Sequence, residues 1–140
     1  MNKNLKISHL MTEGVIYANL DSPFTNVVKF FLKHKINHLP VVDSDKKLVG
    51  ILSTYDVISA YDNALANAGD FTEANVNDKI KVEHIMTKNP KTVSPDETVA
   101  HVAQIFHVNK FQALPIVEND KLVGIVTTRD LVGWIAKSGF

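Results

Sequence analysis

The sequence predicts a mixed α/β (α+β) fold made of two pseudo-symmetric β-α-β-β-α repeats that pack sheet to sheet. A duplicated pentapeptide is the first observation, because KLVGI stands at residues 47–51 and again at 121–125. The spacing is the second: these copies lie 74 positions apart, while the preceding Pro40 and Pro115 lie 75 apart, so one residue is lost in a turn. The third is that helix-like and strand-like periodicities follow in the same order in both halves.

Apolar periodicity defines the elements of the first half, after a short strand near residues 15–18. The first helix is predicted from a stripe at i, i+3, i+4, i+7 and i+8, formed by Phe24, Val27, Val28, Phe31 and Leu32. Two β-rich runs, residues 38–42 and 47–52, flank a polar turn and predict a hairpin. A second helix is predicted from the stripe Val57, Ile58, Tyr61, Ala64, Leu65 and Ala68.

The second half repeats this order, starting from a short strand near residues 91–93. Strands follow at 113–117 and 121–126, and the two helices are predicted from the stripes Val99, Val102, Ala103, Phe106 and Leu131, Trp134, Ile135. We therefore assign residues 1–62 to repeat 1, 63–79 to a helix extension and linker, and 80–140 to repeat 2. Because one such repeat leaves an apolar sheet face uncovered, the two should form one globular module.

Composition restricts the classes of function. The chain of 140 residues is 45% hydrophobic and 21% charged, as in a soluble globular domain. Its 15 basic and 15 acidic residues balance, so neither nucleic acid nor a membrane is an expected partner. There is no cysteine, which excludes disulfides and thiolate metal sites. Without an apolar run of signal-peptide or membrane-span length, the expected location is cytoplasmic.

A short polar motif follows each KLVGI strand and precedes a predicted helix. Residues 53–56 read Ser-Thr-Tyr-Asp, and residues 127–130 read Thr-Thr-Arg-Asp. Both match the capping box, in which a hydroxyl and an acid three residues later bind the first free backbone N–H groups. A helix N-terminus also suits an anion, and an ionised Asp can accept hydrogen bonds from both hydroxyls of a ribose. The upstream Gly50 and Gly124 leave space for a ligand or another backbone.

The whole order of motifs resembles the cystathionine-β-synthase (CBS) motif, and its duplication resembles a CBS pair, or Bateman module. The matching stretches are Leu10-Met11-Thr12, residues 37–43 and residues 48–56 in the first half, and Ile85-Met86-Thr87, residues 112–118 and residues 122–130 in the second. The resemblance covers nearly the whole chain. The joint order of the motifs, twice over, is more specific than any one of them.

This resemblance implies a regulatory module, not an enzyme. Its clefts between the repeats would bind an adenosine-containing ligand such as AMP, ADP, ATP or S-adenosylmethionine, and occupancy would change the conformation or the oligomeric state. It further implies a homodimer, with a regulated enzyme or transporter as partner. The alternative from another class is a structural dimerisation or protein-interaction module that has no small-molecule ligand and in which the Asp motifs are caps alone.

The resemblance also assigns residues to the ligand. Ribose and phosphate contacts are expected from Ser53, Thr54, Tyr55, Asp56, Thr127, Thr128, Arg129 and Asp130. The adenine slot and the cross-repeat phosphate contacts are expected from Thr12, Val15, Ile16, Ile36, Asn37, His38, Pro40, Thr87, Pro90, Lys91, Phe111, Gln112, Ala113 and Pro115.

The two motifs differ at one informative position, where Arg129 stands opposite Tyr55. A guanidinium suits phosphate better than a phenol, which favours the second motif for a phosphorylated nucleotide. A solvated surface charge is the alternative for Arg129. We predict no metal site, because the six histidines lack ligand spacing, and no catalytic residue.

Overall fold

The computed structural model describes residues 2–67, 69 and 71–138, and these form two compact units. One unit is continuous in sequence and comprises residues 16–90. The other is split, and consists of the described residues up to Val15 together with those from Lys91 onward. The units therefore do not coincide with the sequence repeats, because each unit contains the beginning of the other repeat.

The continuous unit contains a four-stranded sheet in the order β1-β2-β3-β4. Its first two strands are parallel and the others antiparallel. The strands are β1 (Ala18–Asn19), β2 (His38–Val42), β3 (Leu48–Ser53) and β4 (Thr87–Lys88), and the helices are α1 (Phe24–His34), α2 (Thr54–Asn67), α3 (Val76–Lys79) and α4 (Val82–Ile85).

The split unit has the same arrangement with shorter outer strands. It contains a 3₁₀ turn (Ile7–His9), α5 (Val99–Val108), β5 (Ala113–Glu118), β6 (Lys121–Thr127) and α6 (Thr128–Ser138). The antiparallel β5–β6 pair is flanked by a parallel bridge from Val93 to Ile116 and an antiparallel bridge from Thr12 to Ile125. These bridges occupy the places of β1 and β4, so the predicted mixed α/β fold with a repeated element order is confirmed.

The helix α1 begins without a side-chain cap of its own, because Pro23 precedes it. Asn77 of α3 supplies the cap from 52 residues away: its Oδ1 accepts from the Thr25 N–H at 3.0 Å, and its Nδ2 donates to Thr25 Oγ1 at 3.1 Å. The helix ends where Lys35 adopts a left-handed φ of 52°. The linker therefore stabilises the first helix of the continuous unit.

The predicted helix stripes needed three corrections. Leu32 is 73% exposed, because position i+8 lies about 80° from Phe24 around the helix and falls beyond the buried face. In α5 Ala103 is exposed and Ile105 is buried, so that helix is rotated from the predicted face. No residue of α2 is fully buried, and Ile58 is 56% exposed. Ala68 lies outside the described residues.

Each hydrophobic core receives an anchor from the other repeat. Ile7 is fully buried in the core of the split unit, and Val82, its repeat equivalent, is 2% exposed in the core of the continuous unit. The Ile7 N–H also donates to the Glu97 carbonyl at 2.7 Å. Burial of one such aliphatic side chain contributes about 1.5–3 kcal/mol, which fixes the start of each repeat on its partner strands.

The glycine of each KLVGI strand makes room for the chain itself. A Cβ built on Gly50 would clash with Met86 Sδ and lie 3.0 Å from the Thr87 carbonyl oxygen. A Cβ on Gly124 would lie 2.6 Å from Met11 Sδ. Of the two expectations, a ligand or another backbone, the second holds, because the Met-Thr segment of the other repeat fills the space above each glycine.

We predict that Gly50→Ala destabilises the protein by about 1–3 kcal/mol, because the added methyl overpacks against Met86. In a Met86→Ala background the same substitution should cost much less, since the clashing sulfur is gone. Urea denaturation of the four variants in this cycle measures the coupling free energy. Gly133→Ala is the control, because it has open space around it in α6 and should stabilise slightly. Additive free energies for Gly50→Ala and Met86→Ala would contradict the assigned contact.

Candidate functional site

The motif at residues 53–56 joins β3 to α2 through a closed pair of hydrogen bonds. The Ser53 N–H donates to Asp56 Oδ2 at 2.8 Å, and the Asp56 N–H donates to Ser53 Oγ at 3.1 Å. This reciprocal pair is a capping box, as the sequence predicted. It fixes the carboxylate at the helix N-terminus, where the backbone dipole favours negative charge.

The motif at residues 127–130 reproduces this geometry between β6 and α6. The Thr127 N–H donates to Asp130 Oδ2 at 2.8 Å, and the Asp130 N–H donates to Thr127 Oγ1 at 3.2 Å. Within the part of the chain that the structure describes, Oδ1 of each motif aspartate makes no hydrogen bond. Both carboxylates are half-buried. Each site therefore offers one rigidly held acceptor oxygen to a ligand.

The loop before the hairpin closes one side of each motif. The Thr54 N–H donates to the Asn37 carbonyl at 3.0 Å, and the Thr128 N–H donates to the Gln112 carbonyl at 3.0 Å. The Thr54 hydroxyl also lies 3.4 Å from Asn37 Oδ1. Asn37 and Gln112, predicted from the resemblance as cross-repeat phosphate ligands, are thus held by their backbones at the motif of their own repeat.

Two threonines predicted to edge the adenine slot lie beside the strand that leads into a motif helix. Thr12 forms two backbone hydrogen bonds with Ile125 of β6, at 2.9 and 3.2 Å. Thr87 of β4 is paired with Ile51 of β3. Each threonine therefore joins the sheet of the repeat to which it does not belong in sequence. Sequence reasoning missed this exchange, because no local pattern records a strand's distant partner.

The other predicted slot residues divide between the two units. The continuous unit holds Ile16, Ile36, Asn37, His38, Pro40, Thr87 and Pro90, and the split unit holds Thr12, Val15, Lys91, Phe111, Gln112, Ala113 and Pro115. Thr12, Asn37, Thr87 and Gln112 are exposed, whereas Pro40, Ala113 and Pro115 are buried. The ligand contacts of these residues stay predictions.

A family model of the CBS domain matches residues 7–63 and again residues 82–137. The chain belongs to the CBS domain family. Its structure is similar to the CBS domain pair of protein MJ0100, which was crystallised in complex with 5′-methylthioadenosine and S-adenosyl-L-methionine. The TM-score is 0.79 and the identity 31%, over 96% of this chain and 98% of that one. The predicted tandem CBS pair is confirmed.

Curated relatives include both small and large proteins. A CBS domain-containing protein of Dictyostelium discoideum is 30% identical over 138 residues, which cover 94% of this chain and 91% of that protein. The L-aspartate semialdehyde sulfurtransferase of Methanocaldococcus jannaschii is 32% identical over 126 residues, or 89% of this chain. The chain spans 22% of the length of that enzyme, to which the named activity belongs.

The two CBS motifs have matching backbones and different charges. Arg129 is exposed and forms no ion pair within the described residues, so its guanidinium is available to an anion. Tyr55, its equivalent, is 77% exposed and carries a neutral phenol. The motif of the split unit therefore combines one fixed cation with Asp130, whereas the motif of the continuous unit has Asp56 without an arginine.

His38 supplies the second difference. It starts β2 opposite Ser53 of β3, and Ala113 takes the equivalent place in the other repeat. Burial lowers the pKa of the His38 imidazole below its usual 6.5, and the Asp56 charge opposes this effect without overcoming it. The imidazole is therefore neutral at pH 7, and the Asp56 motif carries a net negative charge there.

Two surface grooves of the continuous unit lie away from the motif residues. One has a volume of about 840 Å³ and is lined in part by Asp21, Asp43, Asn77 and Lys81. The other, of about 660 Å³, lies between α1, α2 and the linker and includes Phe24, Ile58 and Tyr61. Neither is lined by a predicted ligand residue.

The described residues contain no cluster of three or more His, Cys, Asp or Glu side chains that could hold a metal ion. Over that same part of the chain, the helices are all too short or too polar to cross a bilayer.

The capping role of Asp130 can be separated from its charge. We predict that Asp130→Ala destabilises the protein by about 0.5–2 kcal/mol, because the Thr127 N–H loses its acceptor. Asp130→Asn should cost much less, since an amide oxygen can take the place of Oδ2. Chemical denaturation of the two variants measures the difference. An equal loss of stability in both would show that the carboxylate charge, not the hydrogen bond, stabilises this helix end.

Proposed function

We propose that this CBS pair is a regulatory module that senses an adenosine-containing ligand, such as AMP, ADP, ATP or S-adenosylmethionine. The main support is that each capping box uses Oδ2 of its aspartate and leaves Oδ1, at a helix N-terminus, without a hydrogen-bond partner among the described residues. An ionised carboxylate in that position can accept hydrogen bonds from both ribose hydroxyls. The complex of the MJ0100 CBS pair with two adenosine compounds supports this ligand class.

The residues around each aspartate suit the remaining parts of such a ligand. The motif hydroxyls and the helix N-terminus provide donors for ribose or phosphate oxygens. Thr12 and Thr87 present exposed side chains next to the motif strands, where an adenine edge needs polar partners. Ile36 and Phe111 are partly exposed and provide apolar surface for the base. The proposal requires no catalytic group and no cofactor.

Occupancy must be transmitted through a difference in affinity between two conformations or two oligomeric states. We propose a homodimer as the responding assembly, in the cytoplasm, with an enzyme or transporter as the regulated partner. The match to the sulfurtransferase supports an enzyme as the partner. This chain covers only part of that enzyme's length, so a similar region there belongs to a longer enzyme chain.

A structural interaction module is the second candidate. It is favoured by the exposed apolar side chains of α2, since Tyr55 is 77%, Ile58 56% and Leu65 54% exposed. Such a stripe suits a protein partner. In this alternative the capping boxes stabilise helices and bind nothing, and dimerisation is the function.

A thermal-shift panel separates the two candidates. We expect adenosine, AMP, ADP, ATP, S-adenosylmethionine or 5′-methylthioadenosine to raise the melting temperature, because a ligand that binds the folded state alone adds ~2.7 kcal/mol at 100 times its Kd. The Asp56→Asn, Asp130→Asn double variant retains both caps and should lose the shift. Asp62→Asn, on the same helix as Asp56, is the matched control. No shift with any compound, in a protein that remains dimeric, would favour the interaction module.

We further predict that Arg129→Ala weakens AMP binding about tenfold and leaves adenosine binding unchanged, because the guanidinium contacts the phosphate and not the nucleoside. Isothermal titration with both ligands measures the two affinities. Lys137→Ala removes a cation from the last turn of the same helix and should change neither. A variant that binds AMP as tightly as the parent protein would show that Arg129 is a solvated surface charge.

A further inference from the structure

The two CBS motifs carry different charges around the same backbone geometry. In the split unit the negative Asp130 is balanced by the adjacent Arg129. In the continuous unit Asp56 has no such neighbour, because Tyr55 takes the arginine position. The Asp130 site should therefore bind a phosphate group, with its added negative charge, more readily than the Asp56 site.

His38 is the group that can change the charge of the Asp56 site. Its Cα pairs with Ser53, a member of the capping box, and its half-buried imidazole is close enough to Asp56 to be influenced by the charge of that carboxylate. Two motif residues are placed next to it: Ser53 of β3, which is uncharged and pairs with it, and Asp56 of α2, whose charge acts on the imidazole. Lys35, in the turn before β2, is exposed. Protonation of His38 would bring the local charge from −1 to zero, the value of the other site.

We propose that His38 determines which adenosine ligands the Asp56 site accepts, through its protonation state: neutral adenosine compounds at any pH, and phosphorylated ones when the imidazole carries a proton. This inference rests on the proposed function, since it concerns the same ligand class. Ala113 cannot take this role in the other repeat, so the two sites of one chain respond differently to pH.

The direction in which AMP affinity changes with pH follows from the pKa of His38, which burial lowers. Above the pKa the imidazole is neutral, and a phosphate beside Asp56 is repelled by the carboxylate without an adjacent arginine to offset that repulsion. As the pH falls through the pKa, the imidazolium forms and attracts the phosphate. Linkage requires the reciprocal effect, so AMP bound at this site must raise the pKa of His38, and adenosine must not.

The experiment follows the His38 imidazole and the Thr54 and Asp56 amides by NMR, with AMP and adenosine as probes, from pH 5.5 to pH 8. We expect AMP to raise the pKa of His38 and adenosine to leave it unchanged. At pH 5.5 the wild-type site should bind AMP about tenfold more tightly than His38→Gln, and at pH 8 the two should agree within about twofold. Because AMP itself takes up a proton near pH 6, the comparison with this variant removes the titration of the ligand.

His34→Ala is the control, since this exposed histidine ends α1 in the same unit and should leave all of these values unchanged. If AMP shifts the Thr54 and Asp56 amides while the pKa of His38 stays constant, the inference is overturned and the proposed function stands. If neither probe shifts any motif amide in either unit, the proposed function fails, and the role of His38 fails with it. The pKa is read from the wild-type protein, so the result does not depend on the folding of a variant.

Discussion

The contact between the Met-Thr segment of one repeat and the KLVGI strand of the other is the constraint on which the structure depends. The missing side chain at Gly50 admits Met86, and this close approach lets β4 pair with β3. Just upstream, Val82 is inserted into the same core, as Ile7 is in the split unit. The strand so fixed ends at the capping box, and the orientation of each motif aspartate therefore depends on a glycine six residues earlier.

The two repeats have the same backbone geometry at their Asp motifs but different side chains around them. Both motif aspartates accept the same backbone hydrogen bond at 2.8 Å. Around them Arg129 replaces Tyr55, and Ala113 replaces His38. The hydrogen bonds of the motif residues are the same in both units, whereas the neighbouring side chains differ in charge and in burial, from the exposed Arg129 and Tyr55 to the half-buried His38 and the buried Ala113. A pair of sites with one geometry and two electrostatic environments is the result.

Local interactions were predictable from the sequence, and distant ones were not. The helices and strands of each repeat and both capping boxes depend on residues a few positions apart, and the duplication shows when the two halves of the sequence are compared, so the pattern contains them. The pairing of Thr12 with Ile125 joins opposite ends of the chain, and no periodicity reports it. The cap of α1 was missed for the same reason, since Asn77 reaches Thr25 from the linker. The exposure of Leu32 reflects the limited width of a buried face, which a stripe of apolar residues does not reveal.

The unequal continuity of the two units has a consequence for synthesis. The continuous unit is fully synthesised once residue 90 has left the ribosome, and its internal contacts lie within a stretch of 75 residues. The split unit must bring Ile7 and Thr12 to partners that lie more than 80 residues later in the sequence, so the core around Ile7 is complete only when α5 and β6 are present. Contacts of such sequence separation form slowly. The segment from Ile7 to Thr12 can therefore reach its final contacts only after α5 and β6 have been synthesised, although it is made well before them.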